Sequence, residues 1–131
     1  MAILTDRNYV DKAEKAIKQL KSENGGTFLF TTSQLRNLLS LTSSLYDESK
    51  VRPFEELQDK TSYLRVQFVY QSGRNSIRIG RETKFPVKDL VERAEILECL
   101  KEVRDIETLQ RFCRYMEALV AYFKYEGGKD R

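Results

Sequence analysis

The strongest constraint on the fold lies in residues 52–72, where apolar side chains recur on two opposite sides of a single helical pattern. Phe54, Leu57, Thr61, Leu64 and Phe68 follow a three–four spacing and share one face. Tyr63, Val66, Val69 and Tyr70 form a second apolar arc almost opposite. A helix that is apolar on two sides is expected to pack on two sides. One side is the chain's own core; the other calls for a further helix of the same chain or a second protein. Between the arcs, Lys60, Gln67, Gln71 and Arg74 fall on one polar strip. Such a strip is able to donate hydrogen bonds to phosphate and sugar, and on spacing alone it is equally a solvated helix face. Arg65 sits at the margin of the apolar arc, a place where an arginine packs its stem and takes a carboxylate partner.

The other segments read as helices that would enclose this one. Thr5 or Asp6 is a suitable cap for a first helix in which Tyr9, Val10, Ala13, Ile17 and Leu20 face inward, and Gly25-Gly26 ends it. Residues 27–31 read as a short extended link or apolar packing, with no strand partner nearby. A second helix begins near Thr32 or Ser33 and carries Leu35, Leu38, Leu39, Thr42, Leu45 and Tyr46 inward, with Arg36 on the other side. Pro53 suits the first turn of the third helix, and Gly73 is expected to stop it. Residues 75–85 are the least regular: Ile77 and Ile79 alternate with polar residues, which predicts an extended arm or a small hairpin around Gly80.

A fourth helix opens at Pro86 with Val87, Leu90, Val91, Ala94, Leu97 and Leu100 inward, and Asp89, Glu92, Glu95, Glu98 and Glu102 make it acidic. After a break near Arg104, Asp105 caps a fifth helix. Its wide arc of Leu109, Phe112, Cys113, Met116, Leu119, Val120 and Phe123 marks it as the central core element. Gly127-Gly128 ends it and leaves a frayed tail over 127–131. The expected fold is all-α, one compact bundle of about five helices spanning the 131 residues as a single domain.

Charge placement says more than the net charge of +3. Residues 51–85 hold seven basic against four acidic groups, so this third of the chain carries the whole excess. Arg74, Arg78, Arg81 and Lys84 face only Glu82 there, a local patch able to attract phosphates at short range. Chemistry of other kinds lacks its residues. The chain has no histidine, the commonest general base and metal ligand. It has no Cys-x-x-Cys pair and no glycine-rich phosphate loop. Cys99 and Cys113 lie among apolar residues and read as reduced core thiols. Without a window near the ~20 apolar residues of a membrane span, and without a hydrophobic signal core, a cytoplasmic chain with no membrane partner is expected. The reading is a binding or assembly protein that is not an enzyme and takes no cofactor or metal.

Five blocks carry a resemblance to a known family: RNYVDKAEKAI, TTSQLRNLLSLTSSLYDESK, YLRVQFVYQSGR, VKDLVERAEILECLKEV and ETLQRFCRYMEALVAYFKYEGG. In this order they resemble the small helical subunit of the type III-A CRISPR effector complex, the Csm complex, over nearly the whole chain. Residues 75–85 depart most from the family pattern, which has a shorter connection there.

The resemblance implies a helical bundle whose copies stack as the inner filament of an RNA-guided antiviral complex, opposite backbone subunits that hold the guide. It implies as partners target RNA in the guide–target duplex, other copies of itself, and the backbone and large subunits, with all cleavage chemistry elsewhere. Base pairing then reads sequence, and the protein holds backbone and shape. On that basis the RNA-binding candidates are Arg36, Lys50, Arg52, Lys60, Arg65, Arg74, Arg78 and Arg81. Candidates for protein contact are Tyr63, Tyr70, Glu92, Glu95, Arg111 and Arg114. The alternative is a helical protein-interaction scaffold that makes no contact with nucleic acid.

Overall fold

The third helix holds its predicted place. In the computed structural model, which describes residues 3–128, α3 spans Phe54–Arg74 and buries Leu57, Thr61, Leu64, Phe68 and Ser72 along one stripe. Ahead of it come α1 (Tyr9–Glu23) and α2 (Thr32–Glu48). After it come a two-stranded hairpin of β1 (Ile77–Ile79) and β2 (Glu82–Lys84), then α4 (Pro86–Arg93), α5 (Ile96–Lys101) and α6 (Ile106–Tyr125). The all-α class stands, with six helices rather than about five among the described residues.

Local chemistry explains most boundaries. Thr31 caps α2 through its side chain, which accepts from the Gln34 N–H, while the Gln34 side chain accepts from the Thr31 N–H. Asp105 and Thr108 make the same reciprocal pair at α6. The first helix starts later than expected: Thr5 and Asn8 exchange side-chain hydrogen bonds, and the helix follows at Tyr9. Pro53 is the cap before α3 rather than a residue of its first turn. Gly73 does not stop α3, which continues through Arg74. The hairpin pairs Ile77 with Lys84, Arg78 with Thr83 and Ile79 with Glu82. Gly80, at φ 63°, supplies the left-handed residue its turn requires.

The fourth predicted helix is broken in two. Ala94 closes α4, and Glu95 adopts φ 55°, ψ 39° before α5 begins. This left-handed residue rotates the register, so Ile96 and Cys99 are buried where a straight helix would have turned Leu97 inward, while Leu100 is buried as expected. The carbonyl freed at Ala94 accepts a hydrogen bond from the Tyr115 hydroxyl, 2.7 Å away and wholly buried.

As expected, α6 is central, with Thr108, Leu109, Phe112, Cys113, Tyr115, Met116, Leu119 and Phe123 buried. It packs on α1 and α2, while α3 packs on α2 and α4. Phe68 of α3 reaches Phe112 of α6, with ring centroids 6.2 Å apart. Residues 27–31 form no strand: Phe28 and Phe30 lie against Phe123, at 4.8 and 4.9 Å between centroids. Val10 was expected inward but is exposed, and Ala16 takes the buried position.

Ile3 and Leu4 are tied down by Glu102, whose carboxylate accepts from their N–H groups. Of the tail expected to fray, the Gly128 N–H donates to the Phe123 carbonyl, and 129–131 lie outside the described residues. Among the described residues no helix is long and apolar enough to cross a membrane.

Candidate functional site

The α2–α3 turn, α3 and the hairpin after it carry all the RNA-binding candidates but Arg36. The two helices run antiparallel, so the corner at 49–53 sits at one end of α3 and the hairpin at the other, about 30 Å apart for a helix of this length. The RNA-binding candidates therefore fall into two groups. Lys50, Arg52 and Lys60 cluster at the corner, while Arg74 ends α3, Arg78 lies on β1 and Arg81 in the hairpin turn. Arg65 lies on α3 between them, and Arg36 stands apart on α2.

Their immediate partners differ. Lys50 places its ammonium over the Tyr46 ring, 4.7 Å from the centroid, and Arg74 lies 6.0 Å over Tyr70. Arg52 pairs with Glu56 at 3.2 Å and Glu48 at 3.7 Å, and Lys60 pairs with Glu48 at 2.7 Å. Arg36, Arg65 and Arg81 are exposed, with no ion pair among the described residues. For Arg65 this corrects the expectation of a carboxylate partner: no acidic side chain occurs between Asp59 and Glu82, so none is at hand along this stretch of the helix. Among the described residues Arg78 makes one long contact, 3.4 Å to the Gly80 carbonyl.

The second apolar arc of α3 has no cover from the described chain. Tyr63 and Tyr70 are each 61% exposed, Val66 58% and Val69 55%. A groove of about 410 Å³ runs between α2 and α3 beside this arc, with Ser40, Leu41, Ser44, Lys60, Tyr63 and Gln67 among its walls. The remaining protein-contact candidates lie elsewhere. Glu92 is exposed on α4, whereas Glu95 pairs with Lys12 of α1 at 2.5 Å. Arg111 is held by Asp6 at 2.9 Å and Glu107 at 3.3 Å, and the Arg111 hydrogen bond keeps the Asp6 carboxyl below the usual range. Arg114 is exposed and lines a cleft of about 390 Å³ between α2 and α6, whose floor includes Thr42 and Cys113.

Among the described residues no cluster of three or more His, Cys, Asp or Glu side chains is arranged to hold a metal. Burial pushes the Cys99 and Cys113 thiols up to about 12, and Cys113 donates to the Thr42 carbonyl. These thiols stay protonated at neutral pH, the opposite of what a nucleophile needs.

The family model described as Csm2 of type III-A matches residues 5–129, across the hairpin as well as the helices. The chain belongs to the Csm2 family of type III-A CRISPR systems. It is 66% identical over 130 residues to the CRISPR system Cms protein Csm2 of Streptococcus thermophilus, covering 99% of this chain and 100% of that protein. It is 45% identical over 136 residues to the Mycobacterium tuberculosis protein of the same name, covering both chains in full. The Enterococcus italicus relative is 30% identical over 134 residues, covering 93% of this chain and 89% of that one. Family membership places the α3 surface in a type III-A CRISPR protein.

One residue of this surface went unnoticed in the sequence. Glu48 joins Arg52 and Lys60, yet only the Glu48–Arg52 spacing of four is visible as a helical pair. The Lys60 contact spans twelve positions and exists because α3 folds back on α2.

Proposed function

We propose that this chain is a non-catalytic inner-filament subunit of a type III-A CRISPR effector complex, acting in the cytoplasm to hold target RNA by its backbone. Its apolar side would pack against neighbouring copies and against the backbone and large subunits. The observation that carries the reading is the run 60–81. It holds Lys60, Arg65 and Arg74 on a helix whose outer arc is left uncovered, and Arg78 and Arg81 on the hairpin that follows, with no acidic residue among them. Cations on a rigid helix answer the demand of a duplex whose sequence is read by pairing, since phosphate contacts position a strand without reading it. The uncovered arc supplies what a stacked subunit needs, an apolar strip edged by tyrosine.

The test replaces Lys50, Arg52 and Arg74 with Glu in the assembled complex. Target RNA retention is expected to fall, with a shallower dependence on salt than the parent's, while the complex assembles normally. Unchanged RNA retention by an assembled triple variant sinks the site assignment. It would leave the uncovered arc of α3 favouring a purely protein-binding scaffold.

A further inference from the structure

We infer that Glu48 is a built-in competitor for phosphate at the α2–α3 corner, a regulation of the RNA contact that rests on the reading just proposed. A single oxygen, Glu48 Oε1, takes Lys60 Nζ at 2.7 Å and lies 3.7 Å from Arg52 Nε, while Arg52 has its nearer carboxylate in Glu56, at 3.2 Å. The Glu48 side chain is 23% exposed, whereas Lys60 and Arg52 are 59% and 54% exposed. The carboxylate thus lies beneath, with both cations reaching over it from the solvent side.

The position of Glu48 is poor for α2 itself. It is the last residue of that helix, next to Asp47, and the last turn has no basic residue. Two carboxylates at the negative end of a helix dipole are repelled by it. Compensation comes from Arg52 and Lys60, which both lie outside α2. Carboxylate and phosphate are alternative acceptors for the same cationic donors. An exposed pair is weak enough for a strand already aligned by base pairing to displace it. In the free chain Lys60, and to a lesser degree Arg52, is therefore quiet toward stray RNA. Lys50, on the Tyr46 ring, and Arg65 and Arg81 elsewhere carry no such restraint.

The test titrates a fluorescein-labelled oligouridylate with the full-length chain at low ionic strength and reads anisotropy. Glu48→Gln keeps the shape and removes the charge. It is expected to tighten binding about threefold to tenfold, the size of one or two exposed ion pairs. The slope of log affinity against log salt should steepen by about 0.7 for each cation released to a single strand. Glu48→Ala should move in the same direction, and unchanged melting temperatures would show that neither variant acts through folding. The gain should disappear when Arg52 and Lys60 are both Gln.

If the Arg52/Lys60 pair proves necessary for binding but Glu48→Gln binds no tighter than the parent, the competitor is overturned and the RNA reading survives. If removing Arg52 and Lys60 changes nothing, or if parent and Glu48→Gln both fail to bind at low salt, the competitor is overturned together with RNA contact at this corner.

Discussion

Replacing Tyr115 with Phe isolates one hydrogen bond at the bend between α4 and α5. The ring is fully buried, and its hydroxyl donates to the Ala94 carbonyl at 2.7 Å. Burial also pushes the phenol's ionisation well up, so it remains a donor at ordinary pH. Phe preserves the ring and its packing while leaving a carbonyl without this donor in the core. The cost of such an orphaned acceptor is about 1–3 kcal/mol, and for a chain of this size each kcal/mol lowers Tm by roughly 3–4 °C. Urea unfolding followed by circular dichroism should give a lower midpoint with an unchanged slope, because the surface exposed on unfolding is the same. Tyr63→Phe is the control: its hydroxyl is on an exposed side chain, and the change should stay within about 0.5 kcal/mol. If Tyr115→Phe stays as close to the parent as Tyr63→Phe does, the account of the α4–α5 bend is wrong.

Two further outcomes follow from burial and exposure. Cys99 and Cys113 should resist iodoacetamide in the native chain and react in denaturant. Because burial raises both thiols to about 12 from the usual 9.0, their contribution to stability is complete below pH 9 and declines as pH rises toward 12, where only the unfolded thiols ionise readily. Urea midpoints measured across that range check the sign. Changing Tyr63 and Tyr70 to Ser should leave Tm nearly unaltered but reduce incorporation into the Csm complex, as read by co-purification; full incorporation would argue that the arc meets no partner.

Helical spacing made α2, α3 and α6 legible because their buried positions recur without interruption, and Thr31 and Asp105 cap the starts of α2 and α6. It failed at Glu95. Neither Gly, Pro nor Asn marks that bend, and Val87, Leu90, Val91, Ala94, Leu97 and Leu100 form an unbroken pattern. The bend depends on Tyr115, twenty-one residues away, and on Lys12 of α1, which pairs with Glu95; neither is visible in local sequence. Gly73 failed in the other direction, since an isolated glycine is tolerated within a helix at a cost of about 1 kcal/mol. At the site, the two apolar arcs of α3 were readable from spacing, as was the lack of acids across 60–81. Which cations are engaged was not: Glu48 gathers Arg52 and Lys60 through the α2–α3 turn, and Arg111 is held by Asp6 from the far end of the chain.

The division of α3 into a buried stripe and an uncovered arc also separates two demands on sequence change. Leu57, Leu64 and Phe68 answer for folding, so drift there is penalised before any partner is met. Val66 and Val69 lie on the other half of the same circumference, where substitution leaves the core untouched. The outer half is thus free to vary with whatever it touches, and a reporter group attached at Val69 would register docking without disturbing the fold that presents it.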